Sequence, residues 1–318
     1  MRVGKRLGRR RRTLTAMSST DHTDDLRLAH ILADDADSLT MDRFKALDLH
    51  VVHKPDLTPV SDADTTVEDM IRRSLGRARP RDAVHGEEQG STGWGPRRWV
   101  VDPIDGTKNF VRGVPVWATL IGLMVEDEVV VGVVSAPALG RRWWATRGSG
   151  AWTGKSLSAA HACHVSDVSK IEDASLSYSS LAGWEARGRL EDFMSLTRRC
   201  WRSRAFGDFW SHMLVAEGAA DIAAEPELAL HDLAALAVIV TEAGGRLTDL
   251  TGVPGPTGGN ALTTNGKLHD QALALIGELP PGTDRRDTSA HGSLHDFTAY
   301  RQRGQPPELP DDPEGPDA

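Results

Sequence analysis

The sequence predicts a layered α/β protein that contains both helices and runs of adjacent strands. Apolar residues recur at helical spacing in two early segments, about 25–48 and 64–75. Two β-rich segments, VWATLIGLMVE (116–126) and EVVVGVVSAPA (128–138), are separated by Asp127 and predict a hairpin. Consecutive strands of this kind favour separate helical and β layers over a regular βαβ alternation.

The individual elements follow from their start and stop signals. The second helix is predicted to begin at Asp64, a favourable N-cap, and its apolar residues share one face. In the second half, helices are predicted around 188–200, from near Asp208 and from Asp232, the last one ending at Gly244. A further strand and turn follow the hairpin, and later strands are predicted at 220–225, 245–250 and 260–265.

Composition limits the classes of protein to consider. The chain has 318 residues and a net charge of −8, which argues against a general nucleic-acid binder and leaves acids free for cations. No apolar run reaches the roughly 18 residues of a membrane span. The two cysteines, Cys163 and Cys200, lack metal-ligand spacing, so we predict reduced, buried thiols in a cytoplasmic protein.

The two ends differ from the middle of the chain. Residues 1–24 begin with a basic segment that lacks the apolar region of a secretory signal. It is either an arm that binds nucleic acid or an anionic surface, or a disordered extension upstream of a start at Met17, and we favour the extension. Residues 278–318 are rich in Pro, Gly and Asp and predict a disordered tail. The predicted domain is therefore 25–277.

The segment WVVDPIDGTKNF (99–110) is the strongest candidate for a functional site. An apolar strand leads into Asp102 and Asp105, and Pro103 between them is expected to force a turn. Thr107 is expected to open a short helix after Gly106. The two carboxylates and a backbone carbonyl would offer Mg²⁺ the hard oxygen ligands that it prefers. Taken alone, the segment fits equally well a turn with an Asx hydrogen bond and a helix cap.

Acids at other predicted element ends favour the metal site. Glu87 follows a short strand, Asp62 and Asp64 lie at a helix start, and Asp232 begins an apolar helix. Carboxylates crowded together without a cation would destabilise the fold. Two pairs of histidines, His50 with His53 and His161 with His164, have i, i+3 spacing but no adjacent third ligand, so we do not expect zinc there.

At this point the chain resembles the inositol monophosphatase family. The segments HGEE, WVVDPIDGTKNF and LHDLAALAVIVTEAGGRLTD look like its three signature segments, in the right order and spacing from about Arg27 to about residue 275. The resemblance implies an αβαβα sandwich of the inositol monophosphatase/fructose-1,6-bisphosphatase type. It also implies a Mg²⁺-dependent, lithium-sensitive phosphomonoesterase that forms a homodimer.

The resemblance assigns roles by matching positions. Two or three Mg²⁺ ions would be held by Glu87, Asp102, Asp105, Asp232 and the Ile104 carbonyl. Thr107 and Asp64 would position an attacking water with help from Glu87. The substrate would contact Gly106, Thr107, Asp208, Trp210, Glu225, Arg204 and Lys54. One departure is visible, because His231 stands where the family often has a tryptophan before the last aspartate.

The substrate prediction rests on the segments GDFW and EPELALHD, which look closest to the histidinol-phosphate phosphatase subgroup. Asp208 and Glu225 would accept hydrogen bonds from an ammonium or imidazolium, while Trp210 packs on a flat ring. The structural alternatives are a helix N-cap for Asp208 and a core position for Trp210. We therefore expect metal-activated water to hydrolyse L-histidinol phosphate, a small phosphate ester of histidine biosynthesis.

Two other functions remain open at this stage. The first is an inositol-1-monophosphatase, or a broader sugar or nucleotide phosphatase of the same family. The second is a non-enzymatic cation-binding protein that kept the fold. Thr107, Glu87 and Asp64 together favour an enzyme, because a passive metal site does not need a hydroxyl that positions water.

Overall fold

The computed structural model of the chain describes residues 22–55 and 58–276. The helices are α1 (Thr23–Arg43), α2 (Asp62–Ala78), α3 (Thr107–Val111), α4 (Leu181–Ala186), α5 (Leu190–Arg199), α6 (Asp208–Ala216), α7 (Leu230–Glu242) and α8 (His269–Ile276). The strands are β1 (Val51–His53), β2 (Pro59–Ser61), β3 (Ala83–Gly86), β4 (Gly90–Thr92), β5 (Arg97–Asp105), β6 (Ala118–Val125), β7 (Glu128–Ala136), β8 (Arg141–Thr146), β9 (Ala151–Gly154), β10 (Ala160–Cys163), β11 (Ser175–Ser177), β12 (Arg202–Arg204), β13 (Ile222–Glu225), β14 (Arg246–Thr248) and β15 (Ala261–Thr264).

The strands form one large sheet, one smaller sheet and the β1–β2 hairpin. The large sheet has the order β10-β9-β8-β7-β6-β5-β3-β4, and it is antiparallel except where β3 pairs with β5. The smaller sheet has the order β12-β11-β13-β15-β14 and mixes parallel and antiparallel pairs.

Helices cover both sheets and produce five layers, α-β-α-β-α, so the predicted layered architecture is confirmed. Helices α1 and α2 pack on one face of the large sheet, α6 and α7 lie between the sheets, and α5 and α8 cover the smaller sheet. None of the helices in the described ranges combines the length and apolar character needed to cross a membrane.

Two facing glycines bring α7 against the large sheet. Gly122 on β6 pairs with Gly132 on β7, and α7 lies over this position. A Cβ added at Gly132 would lie 2.5 Å from the Ala235 carbonyl oxygen, so only glycine permits this approach. The same contact fixes where the first turn of α7, which carries Asp232, meets the end of β5.

Several predicted boundaries shift for local reasons. The hairpin is confirmed, with β6 and β7 antiparallel around Asp127. Helix α1 ends at Arg43 rather than near 48, because Phe44 leaves the helix and packs on Phe110 and Trp117. Helix α2 begins earlier than predicted: its N-cap is Ser61, and Asp64 is the third helical residue in a capping box.

The ends of the chain and the cysteines complete the comparison. Most of the predicted extension (1–24), including Met17, and all of the predicted tail (278–318) lie outside the described residues. Helix α1 already begins at Thr23, two residues before the predicted domain limit of 25.

Both cysteines are free thiols, but only Cys163 is buried; Cys200 is partly exposed, contrary to the prediction. Burial raises the pKa of the Cys163 thiol to about 12.

Candidate active site

Three segments far apart in the sequence place carboxylates at one point. Asp102 and Asp105 lie at the end of β5, and Asp232 lies in the first turn of α7. One oxygen from each of the three lies within 4.8 Å of the others. Glu87 follows β3 on the neighbouring strand, and one of its oxygens lies within the same distance of Asp102 and of His231.

A β-bulge puts Asp102 and Asp105 on the same side of β5. In a regular strand, residues three apart point to opposite faces. The pairing of β5 with β6 shifts by one residue between Asp102 and Asp105, and the strand continues through Pro103. The turn predicted at Pro103 is therefore wrong. Proline has no N–H to donate to the neighbouring strand, and here it lies in a β-bulge, which turns the side chain of Asp105 to the same side as that of Asp102. Asp102 Oδ1 accepts a hydrogen bond of 3.0 Å from the Ile104 N–H.

The three carboxylates repel one another in a poorly hydrated place. Burial, followed by repulsion from Glu87 and Asp105, raises the pKa of Asp102 well above its ordinary value. Burial and the neighbouring Asp208 and Asp232 do the same to the pKa of Asp105. The Ala229 N–H donates to Asp232 Oδ2 at 2.6 Å, but burial still raises the pKa of Asp232. A divalent cation would remove this repulsion, so the donor set fits a metal that prefers oxygen.

Thr107 connects this cluster to Asp64. Its hydroxyl lies 2.9 Å from the Ile104 carbonyl oxygen and 3.3 Å from Asp64 Oδ1. Asp64 is fully buried, and its Oδ2 accepts hydrogen bonds from the N–H and hydroxyl of Ser61 at 2.7 and 2.6 Å. Burial raises the pKa of Asp64 to about 7 despite the bonds from Ser61. The predicted helix start is confirmed, because α3 begins at Thr107 after Gly106 with φ +84°.

Lys54 forms ion pairs with two acids. Its ammonium lies 2.6 Å from Glu87 Oε1 and 2.8 Å from Glu88 Oε1. Burial alone would lower the pKa of Lys54, but the two glutamates outweigh it and raise the pKa. Glu68, which the sequence analysis missed, is fully buried and accepts the Glu88 N–H at 2.7 Å. This bond holds the glutamate pair at the end of β3.

A second pair of acids lies beside Asp105. Asp208 is the first residue of α6, with Gly207 as the N-cap, so its predicted capping alternative is wrong. Asp208 Oδ2 accepts a hydrogen bond of 3.1 Å from Asn109, and the Phe209 N–H donates to Asp105 Oδ2 at 2.7 Å. Burial raises the pKa of Asp208 to about 6.

Ser179 joins Asp208 to Glu225. Its hydroxyl donates to Glu225 Oε1 at 2.6 Å, and it accepts the Asp208 N–H at 2.9 Å. Glu225 is almost fully buried at the end of β13, and burial raises its pKa to about 8. Neither Ser179 nor Asn109 was predicted; Asn109 stands within the DGTKNF segment, whereas Ser179 has no sequence signal of its own.

Two predicted substrate residues, Trp210 and Arg204, make contacts with other residues. Trp210 packs on Phe206, with 5.4 Å between ring centroids, and its indole nitrogen is buried without a partner among the described residues. Arg204 is exposed, and its guanidinium donates to the Ser203 carbonyl oxygen at 2.7 Å. Their roles in substrate binding stay predictions. The two groups of potential metal ligands found in the described chain also contain none of His50, His53, His161 and His164.

Comparisons with known proteins agree with this arrangement. The family model described as "Inositol monophosphatase family" matches residues 23–279. A histidinol-phosphatase of Streptomyces coelicolor is 64% identical, over 81% of this chain and 98% of that protein. A histidinol-phosphatase of Mycobacterium tuberculosis is 60% identical, over 80% and 98%. The solved structure of an IMPase from Thermotoga maritima superposes with a TM-score of 0.71 at 28% identity, over 80% of this chain and 96% of that one.

Proposed function

Because the chain belongs to the inositol monophosphatase family and is a phosphoric monoester hydrolase, we propose that it hydrolyses L-histidinol phosphate to L-histidinol and phosphate. The observation that carries this choice is the second pair of acids, partly buried Asp208 and buried Glu225, beside the carboxylate cluster. Carboxylates form strong, charge-assisted hydrogen bonds with an ammonium or imidazolium, and a neutral polyol such as inositol has no cation to use them. The 60–64% identity to two histidinol-phosphatases supports the same substrate.

The proposed cofactor is Mg²⁺. Asp102, Asp105 and Asp232 would hold it together with Glu87 and the Ile104 carbonyl, and the raised pKa values of the buried acids support this assignment. When bound, the cation supplies charge neutralisation to the phosphate ester and to its leaving oxygen. The Lys54 ammonium pairs with Glu87 Oε1 and Glu88 Oε1, so the second oxygen of Glu87 would be the one available to the cation.

Thr107 and Asp64 would orient the attacking water. The single hydroxyl proton of Thr107 can go either to the Ile104 carbonyl or to Asp64. When it goes to ionised Asp64, a lone pair of the hydroxyl is free to accept a hydrogen bond from water. A water held there stands beside the carboxylate cluster, where in-line attack on phosphorus is possible. The backbone N–H groups of Gly106 and Thr107 stay predicted donors to the phosphate.

Glu225 would recognise the cationic part of the substrate. Its pKa of about 8 means that the Glu225 carboxyl is largely protonated at neutral pH when no cation is bound beside it. A bound ammonium or imidazolium favours the ionised form, so substrate binding and ionisation of Glu225 are linked. Ser179 would hold the carboxyl at a fixed distance from Asp208.

The direct test is phosphate release from four substrates assayed side by side: L-histidinol phosphate, inositol 1-phosphate, fructose 1,6-bisphosphate and adenosine 3′,5′-bisphosphate. We expect histidinol phosphate to have the highest kcat/KM. Glu225→Gln should lower that value about tenfold or more, because a buried partner of a cation is lost. It should affect p-nitrophenyl phosphate much less. Preference for inositol 1-phosphate would replace the proposed substrate with the alternative.

Two further proposals concern the whole protein. We propose a homodimer, which the mass measured by light scattering during gel filtration tests directly. The cytoplasmic location also stays a prediction, and fractionation of cells that express the full chain tests it.

A further inference from the structure

We propose that His231 is a metal ligand, and that Glu87, Asp102 and His231 bind a divalent cation through two oxygens and one nitrogen. This inference rests on the proposed metal-dependent function and specifies one of its metal positions. A mixed site of this kind favours cations that accept imidazole, such as Zn²⁺ and Ni²⁺, more than an all-oxygen site does. The tryptophan that often occupies this position in the family segment has no nitrogen lone pair that can bind a metal.

The distances support three ligands around one cation. One ligand atom from each of Glu87, Asp102 and His231 lies within 4.8 Å of the other two. Ligands about 2.1 Å from a metal lie no more than about 4.2 Å apart, so a small inward movement closes the site. His231 Nε2 is 3.8 Å from Asp232 Oδ1, which is longer than a hydrogen bond. The imidazole therefore faces the acids without being bonded to Asp232.

Two neighbouring elements hold the imidazole in this direction. His231 is the second residue of α7 and directly precedes Asp232. Its ring stacks on His85 of β3, with 6.2 Å between centroids and 27° between planes. His85 is itself fixed by a 2.8 Å hydrogen bond between its Nδ1 and the Ser91 hydroxyl. Since β3 also leads into Glu87, the same two elements position both the nitrogen ligand and one oxygen ligand.

The test uses the full protein loaded with Mn²⁺ and pulsed electron paramagnetic resonance, which detects nitrogen bound to the metal. We expect ¹⁴N modulation in the wild type, replaced by ¹⁵N modulation when histidine is labelled. His231→Gln offers an amide oxygen near the position of Nε2 and should abolish the nitrogen signal. The control His161→Gln removes an exposed imidazole of β10 that belongs to neither group of potential ligands in the described residues, and it should keep the signal.

Calorimetry supplies a second measurement. The ratio of Zn²⁺ affinity to Mg²⁺ affinity should fall about tenfold in His231→Gln, as is typical when a group that supports a metal is lost. Absence of nitrogen coupling in the wild type, or its survival in His231→Gln, overturns the inference. Phosphatase activity with no nitrogen coupling would overturn only this assignment, whereas Mn²⁺ bound through nitrogen without phosphatase activity would overturn the proposed function instead.

Discussion

At the scale of single residues, Asp105 is a proposed metal ligand that we expect to destabilise the fold when no cation is bound. It is partly buried, faces Asp102 and Asp232, and has a raised pKa. Asp105→Asn should abolish phosphatase activity because a neutral amide is a poor ligand for Mg²⁺. The same change should raise the melting temperature of the chelator-treated protein, since it removes one of three repelling carboxylates. Phosphate release and thermal melting, each with and without Mg²⁺, check both effects.

The control is Asp249→Asn, at a buried aspartate that caps the Thr251–Val253 turn away from the cluster. Its melting temperature should respond to Mg²⁺ as the wild type does. Full turnover by Asp105→Asn, or by metal-stripped wild type, would contradict the metal-dependent mechanism.

Ser179 is expected to set specificity through Glu225. Ser179→Ala removes the hydroxyl that joins Glu225 to the Asp208 backbone. A hydrogen bond to a charged group, such as the ionised Glu225 carboxylate beside a bound cation, contributes about 1.5–3 kcal/mol. We expect kcat/KM for histidinol phosphate to fall about tenfold or more, and p-nitrophenyl phosphate turnover to stay within about threefold. Ser177→Ala is the matched control, because that buried hydroxyl of β11 bonds to Ser211 instead. Equal losses for both substrates would show that Ser179 is only structural.

These residues also show what the sequence can predict about the site. Asp102, Asp105 and Glu87 stand in short motifs at the ends of predicted strands. Because strand ends meet at one edge of a sheet, the sequence already predicts that these side chains lie close together. Ser179 lies two residues beyond a three-residue strand and contacts Glu225 only because β11 and β13 are parallel neighbours. A contact of this kind depends on the order of strands in the sheet, which no local pattern encodes.

At the scale of elements, the approach of α7 to the sheet depends on Gly132. A Cβ there would lie 2.5 Å from the Ala235 carbonyl oxygen and 2.6 Å from a Val238 methyl. Gly132→Ala should therefore cost at least about 1–3 kcal/mol of unfolding free energy, as overpacking typically does. Because α7 carries Asp232, the affinity for Mg²⁺ should fall as well. Urea unfolding and calorimetric Mg²⁺ titration measure the two effects.

Gly76 of α2 offers the opposite case, since a Cβ there would meet nothing within 4 Å. Gly76→Ala should stabilise the protein by up to about 1 kcal/mol through helix propensity and leave Mg²⁺ binding unchanged. If both substitutions had the same effect, close packing of α7 would not be the cause.

The elements themselves were largely predictable, and each error has a local cause. Helical periodicity and the hairpin signal located α2, α7 and the β6–β7 pair. Asp64 and Asp232 resemble N-caps in sequence but are third residues of their helices, where each accepts an N–H from three residues before it. The β5 bulge was missed because a proline in the sequence predicts an interruption of strand pairing but does not distinguish a turn from a bulge after which the strand continues.

At the scale of the whole molecule, buried neutral histidines should make the fold sensitive to acid. Burial lowers the pKa of His30, His212 and His269 to about 4 from an ordinary 6.5. Between these values the unfolded chain binds protons that the folded chain does not, so stability is lost as pH falls from about 6.5 toward 4. Each group should remove about 2 kcal/mol between pH 7 and pH 5.

His212→Asn isolates one of these groups. His212 Nδ1 lies 2.8 Å from the Thr263 hydroxyl, a contact that asparagine can keep without titrating in this range. The variant should be less stable than the wild type at pH 7, and the difference should shrink by about 2 kcal/mol at pH 5. Urea unfolding at the two pH values measures it, with exposed His161→Asn as the reference. A difference that does not change with pH would contradict the assignment.

The convergence of distant segments on one cluster of acids also determines when a cation can act during folding. The proposed metal ligands come from β3, β5 and α7, so the complete set exists only after the long-range contacts of the large sheet and α7 have formed. Bound Mg²⁺ would therefore stabilise the folded molecule after these contacts have formed and would not guide the early collapse of the chain. A ligand that binds only after the transition state slows unfolding and leaves the refolding rate unchanged. Stopped-flow measurements with and without Mg²⁺ should show this asymmetry, and a faster refolding rate in Mg²⁺ would mean that the cluster assembles early.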